Sequence, residues 1–343
     1  MMYFFKIFLI LSVFGIKAQS VTSGLNHKSI NSDSLQNYSF IVSGHFYGGS
    51  SNLTGFPVNT ILAHLDWVNE SNSTMLMSLG DIFMDVKNDI PNYETCFFQK
   101  LNIPLFNAVG NHDISSNIYQ SNFGETFFYF QISNDIHIVL DTEINDGSIK
   151  DEQMIILNEV YELVKSNLDI KNVFVYTHRT IWARSYPELD LLFTTNTQSV
   201  FGNNYTKEVL PILALIQSKA QVHVFSGSLG DAPASFFNFK SDDGINYIAT
   251  AIRGLKRDAV LIVSSRDSKI GFNVKSLTNQ GLNKFESYDL EFWTANIGKK
   301  KGYNYRLIPL KIKNSILSIE FWSGILIVLT VFSVFKIGRK FMR

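Results

Sequence analysis

The chain has 343 residues, a formal net charge of zero and a pI of about 7.1. Charged residues make up 17% of it, below the roughly 25% usual for globular proteins, so no long-range positive field is present and no nucleic-acid partner is expected. Cys96 is the only cysteine, which excludes an intramolecular disulfide and every cysteine-based zinc or redox motif.

Residues 1–19 place Lys6 ahead of an apolar stretch over 7–16, with the small Ala18 at a cleavage position. This is the build of a secretory signal peptide. Residues 20–37 are rich in Ser and Asn and read as a polar leader. Apolar runs then alternate with helical patterns. Strands are predicted over 38–43, 74–79 and 103–109, with helices over 60–69 and 92–101 between them. Two more strand runs, 127–132 and 136–141, flank a tight turn at Ser133-Asn134-Asp135. An amphipathic helix over 151–167, a strand over 173–176, a helix over 206–219 and a strand over 222–225 follow. After these the pattern turns to strands, over 234–239, 247–252, 259–263 and 270–274. The order predicts an α/β fold, a layered β-sandwich flanked by helices, as one domain over 38–313.

Residues 316–337 carry only Glu320 and Lys336 as charges, and Trp322 suits a membrane interface. A spanning helix needs roughly 20 apolar residues, so a single C-terminal membrane helix is expected, followed by a basic tail over 338–343. Basic residues flank the segment on both sides, so the orientation comes from the signal peptide. The domain is expected on the extracytoplasmic side of the membrane and the tail in the cytoplasm.

Four strands end in short polar runs: Ser43-Gly44-His45, Gly80-Asp81, Gly110-Asn111-His112-Asp113 and Thr177-His178-Arg179. Ligands of open α/β sheets collect outside the carboxyl ends of strands, so these runs point to one shared site. Other histidines read differently. His137 and His223 lie inside apolar strands as packed residues, and His64 sits on a helix as a structural one.

Asp81, Gly110-Asn111-His112-Asp113 and His178, in this order and spacing, resemble the calcineurin-like metallophosphoesterases, over about residues 38–231. The resemblance implies hydrolysis of a phosphate ester, with divalent ions neutralising the phosphate and activating water. It implies that Asp81 bridges the ions, that His45 binds the first, and that Asn111 and His178 bind the second. It makes His112 the acid toward the leaving group, and Asp113 the partner that orients His112. The chain departs from the family pattern at three positions. Ser43 stands where the family has Asp, and Ser228 and Gly230 stand where it has two histidines. One divalent ion of zinc, manganese or iron type is therefore expected rather than two, with Asp231 one register away from a lost histidine. The expected function is an exported, membrane-anchored phosphoesterase acting on a phosphorylated substrate. The alternative is an inactive relative that binds a phosphorylated or polymeric ligand, or a membrane scaffold.

Overall fold

The computed structural model describes residues 20–30, 35–193, 195–230, 232–297, 312, 316 and 319–341. The expected signal peptide and Asp231 lie outside them. By contacts the chain forms two compact units, Met1–Ile297 and Gly298–Arg343.

The first unit is built on two stacked sheets. Its strands are β1 (Val21–Thr22), β2 (Ser29–Ile30), β3 (Tyr38–Ser43), β4 (Leu76–Ser78), β5 (Leu105–Asn107), β6 (Phe128–Ile132) and β7 (Asp135–Val139). They continue with β8 (Asn172–Thr177), β9 (Gln221–Ser226), β10 (Phe236–Lys240), β11 (Asn246–Thr250), β12 (Ala259–Arg266) and β13 (Lys269–Ser276). One sheet has the order β10-β11-β9-β8-β7-β6 and the other β13-β12-β3-β4-β5. The central strands β11, β9, β8 and β7 run parallel, as do β3, β4 and β5.

Phe40, Met77, Phe106, Phe130, Phe174, Tyr176 and Leu261 fill the space between the sheets. The outer faces are apolar too, so central strands such as β4, β7, β8 and β9 bury both sides and need helices over them. Helices α1 (Asn59–Leu62), α2 (Leu65–Glu70), α3 (Val86–Cys96) and α4 (Ile118–Phe123) cover Ile41, Leu76 and Leu105 through Ile61, Val68, Tyr93 and Tyr119. Helices α5 (Asp151–Ser166), α6 (Asn196–Ser199), α7 (Leu210–Gln217) and α8 (Leu290–Asn296) lie in the other half. Leu157, Val160, Leu213 and Trp293 there pack on Ile138, Val175 and Val224. The expected helix-flanked sandwich is thus present, in four layers.

Local differences from the sequence pattern have local causes. The helix expected over 60–69 breaks into α1 and α2, because the His64 ring takes the Thr60 carbonyl (Nδ1 to O, 2.9 Å). The helix expected from residue 92 begins at Val86. Asp85 caps it by accepting from Lys87 N (3.1 Å), and Asp89 fixes its entry by accepting from Met84 N and Asp85 N. Residues 20–30 are more than a leader. They form the β1–β2 hairpin, and Ser23 donates to the Leu105 carbonyl.

The second unit contains helix α9 (Ile319–Phe341), whose described side chains over 321–333 are exposed. Among the described residues no helix is long and apolar enough to cross a membrane, so the span expected over 316–337 lacks structural support.

Candidate metal centre

The carboxyl ends of β3, β4 and β8 bring His45, Asp81 and His178 together, all buried. Their ligand-type atoms lie within 4.8 Å of one another. His45 Nδ1 is 3.4 Å from Asp81 Oδ2, and His178 Nε2 is 3.6 Å from Asp81 Oδ1. Two of the three residues sit at left-handed backbone angles, His45 at φ +58° and Asp81 at φ +56°. Such strain costs about 1–3 kcal/mol per residue and persists only where the surroundings impose it.

Glycines let the loops close in. Gly80 has φ +86°, and a Cβ there would lie 2.5 Å from His178 Nδ1. A Cβ on Gly227 would strike the Leu79 carbonyl. Both positions therefore hold β4 against the ends of β8 and β9.

The protonation pattern suits a cation. His178 Nδ1 donates to the Leu79 carbonyl (2.8 Å), so in the neutral ring Nε2 carries the lone pair and turns it toward Asp81. Burial holds the His45 pKa well below its ordinary value, and the nearby Arg253 cation lowers it further. His45 is therefore neutral at pH 7, and its contact with Asp81 is not an ion pair. Both His45 ring nitrogens, His178 Nε2 and the Ser43 hydroxyl are buried without a hydrogen-bond partner. Buried polar atoms are normally paired. Two of them, His45 Nδ1 and His178 Nε2, lie within 3.6 Å of the Asp81 carboxylate, and the three residues fit a divalent ion, for which three protein ligands and an open position are the usual catalytic pattern.

The remaining predicted residues divide. His112 is half-buried at the edge of the triad. Its backbone N donates to Asp81 Oδ1 (3.1 Å), and its ring lies against Tyr47 with centroids 5.0 Å apart. Asn111 is exposed on the turn that follows β5, outside the buried triad. His45 faces Asp81 Oδ2 and His178 faces Asp81 Oδ1, one histidine on each oxygen of the carboxylate expected to bridge. Asp113 differs from expectation. Its carboxylate accepts from the backbone N of Asp81 (2.9 Å), Phe83 (3.1 Å) and Gly110 (2.9 Å), and from the Asn107 amide (3.1 Å). It ties the Asp81 loop to the Gly110 loop, and the Met84 carbonyl orients His112 instead (Nδ1 to O, 3.0 Å). Burial and the Asp81 charge push the Asp113 pKa up to about 6, against the pull of its hydrogen bonds. Ser228 is buried beside the triad, its N donating to the His178 carbonyl (2.8 Å), while Gly230 faces Gln198.

Sequence reasoning missed Tyr47 and Arg253, and gave Arg179, inside the Thr177-His178-Arg179 run, no role. Tyr47 packs between the His45 and His112 rings, and burial with the Asp81 charge pushes its pKa up to about 12. Arg179 binds Glu143 through two bonds of 2.6 Å. Arg253 follows β11. Tyr47 stands two residues after the Ser43-Gly44-His45 run, the one signal available.

No model of a protein family matches the chain, and no curated protein matches it. Among solved structures, a dimetal phosphatase from Danio rerio is 10% identical, and the match covers 72% of this chain and 99% of that one with a TM-score of 0.48. A purple acid phosphatase from yellow lupin seeds is 8% identical over 72% of this chain and 53% of that one, with a TM-score of 0.47. Vps29 of Entamoeba histolytica complexed with zinc is 8% identical over 70% and 99%, with a TM-score of 0.28. At these identities and scores the functional reading rests on the chain's own donors.

Proposed function

We propose that this chain is a divalent-metal-dependent hydrolase of phosphate esters, exported and held at the membrane by its C-terminal helix. The observation that carries the reading is the buried His45–Asp81–His178 triad with its unpartnered nitrogens. These three residues would hold one ion of zinc, manganese or iron type, with the buried, unpartnered Ser43 hydroxyl two positions before His45. Such an ion supplies Lewis acidity and positive charge toward a phosphoryl group. The chain's own residues do the rest. Asp81 stays held by the His112 backbone N–H, and the Leu79 carbonyl fixes the His178 tautomer. His112, anchored through Nδ1, keeps Nε2 for a proton that a leaving oxygen takes up. Asp113 holds the two loops that carry Asp81 and Asn111 in register.

The test is elemental analysis of the purified full chain, with hydrolysis of an aryl phosphate. About one equivalent of divalent metal is expected, with loss of both metal and turnover in Asp81→Asn. A metal-free protein would sink the proposal. The anchor is tested by deleting residues 319–343. If the shortened chain still sediments with membranes, the helix is not what holds it there. Ser43, Ser228 and Gly230 favour a second reading, a relative that binds a phosphorylated or polymeric ligand without turnover, or serves as a membrane scaffold. Metal binding without hydrolysis would select it.

A further inference from the structure

Tyr47 has no role in the family resemblance, yet it stands inside the centre. Four rings form a row there. His178 and His45 have centroids 5.4 Å apart, His45 and Tyr47 5.6 Å, and Tyr47 and His112 5.0 Å. The row runs from the buried triad to the half-buried histidine assigned to the leaving oxygen. Backbone bonds fix Tyr47 in it. Tyr47 N donates to the Asp81 carbonyl (3.5 Å), Gly48 N to the His45 carbonyl (2.8 Å) and Asn52 Nδ2 to the Tyr47 carbonyl (2.7 Å).

Its hydroxyl is the exception among the buried tyrosines. Tyr47 is 4% exposed, and a buried tyrosine hydroxyl normally finds a hydrogen-bond partner. Tyr38, Tyr119, Tyr176, Tyr205, Tyr247 and Tyr288 follow that rule, each hydroxyl bonding a protein group at 2.9 to 3.2 Å. The Tyr93 hydroxyl is unbonded but sealed from solvent. Among the described residues the Tyr47 hydroxyl makes no hydrogen bond, and it is not sealed. A nearly buried phenol thus lies between a metal-type ligand and the candidate acid, with its one polar atom unengaged and open to solvent.

We propose that the Tyr47 hydroxyl donates a hydrogen bond to a phosphoryl oxygen of the ester that the His45–Asp81–His178 centre receives. The inference rests on the hydrolase reading above. In that reading the phosphoryl group lies between the triad and His112, which is where the Tyr47 ring stands. With one ion expected instead of two, a phosphoryl oxygen lacks the contact a second ion would make. A phenol O–H is a donor that can face that oxygen. It gives up no protein acceptor to do so, and its ring is already fixed, so little reorganisation opposes the bond.

The experiment uses the full-length chain in detergent, as wild type and Tyr47→Phe. Melting temperature, manganese affinity, the affinity of the manganese-loaded protein for inorganic phosphate, and kcat and KM for an aryl phosphate are measured. Tyr47→Phe breaks no bond within the protein and keeps the ring, so melting temperature and manganese affinity should equal those of wild type. Phosphate affinity should fall about tenfold or more, the size of a lost hydrogen bond to a charged group, and kcat/KM with it. A purely structural role for the ring would move neither. Phosphate affinity within about threefold of wild type overturns the inference and leaves the hydrolase reading standing. Lost manganese affinity in Tyr47→Phe also overturns it, because the hydroxyl then acts on the ion and not on the ester. A wild type that binds no manganese sinks the hydrolase reading itself, and the inference with it.

Discussion

Gly80→Ala tests whether the triad is held by close packing of the β4 and β8 ends. Gly80 has φ +86°, an angle that costs an alanine about 1–2 kcal/mol. The new Cβ would also lie 2.5 Å from His178 Nδ1, 2.6 Å from the Ala108 carbonyl and 2.8 Å from Gly110 N. Relieving such contacts in a packed interior costs about 1–3 kcal/mol. The sum is a destabilisation of about 2–5 kcal/mol. The easiest relief is rotation of the His178 ring away from the Leu79 carbonyl, which it now contacts at 2.8 Å. Metal affinity should therefore fall with stability. Urea unfolding at pH 7 and a manganese titration measure the two effects. Gly124→Ala is the control, because Gly124 has φ +87° but nothing within 4 Å of its Cβ position. At φ +87°, ψ −152° it should show only the backbone cost, about 1–3 kcal/mol, with unchanged metal affinity. If Gly80→Ala unfolds like Gly124→Ala and binds manganese like wild type, residues 80 and 178 are not pressed together and the geometry above is wrong.

Three further outcomes follow from particular groups. Burial holds His137 and His223 neutral, with pKa values lowered to about 3, and the Lys240 charge adds to the effect at His223. The folded values lie below the unfolded value, so the stabilisation is present above about pH 6.5 and is lost as pH falls toward 3, at up to about 1.4 kcal/mol per pH unit for each ring. Urea unfolding at pH 7, 5 and 4 should show that slope, and His137→Phe should reduce it at some cost, since the ring also bonds Tyr38 and Tyr176 at 2.9 Å. Glu143→Gln leaves Arg179 largely buried without its counter-charge and should cost about 3 kcal/mol; a double-mutant cycle with Arg179→Met that shows simple additivity would contradict a coupled pair. Ser43→Asp places a second carboxylate in the buried cluster. Its melting temperature should drop in a chelator and rise above wild type with manganese, because only the ion compensates the added charge; a shift of the same sign in both conditions would show that residue 43 does not face the ion.

Much of the architecture was legible along the chain. Largely apolar runs such as 38–43 and 173–176 mark strands buried on both faces, and the alternation with helical patterns implies the covering layers. The Ser133-Asn134 turn was readable as well. Ile132 pairs with Asp135, so Asp135 opens β7 instead of closing the turn. The helix broken at His64 was not legible, because a side chain competing for one carbonyl leaves no trace in hydrophobic spacing. Helices α4 and α8 were missed because segments of six and seven residues are too short to show a period.

For the candidate site, the sequence alone determined the ligand types and their places at strand ends. His45, Asp81 and His178 follow β3, β4 and β8, and the parallel pairing of β3 with β4 brings two of those ends side by side. Only the tertiary structure decided how the groups divide the work. It put both histidines on one carboxylate, gave Asp113 to the backbone of two loops, and left His112 to the Met84 carbonyl. It also brought the end of β11 to the His45 loop, with Ile252 N donating to the Gly44 carbonyl across a separation of 208 positions in the chain. Hydrogen-bond partners and field strength depend on distance through space, and residues near each other in the sheet stack are remote in the chain, so these assignments had no local signature to read.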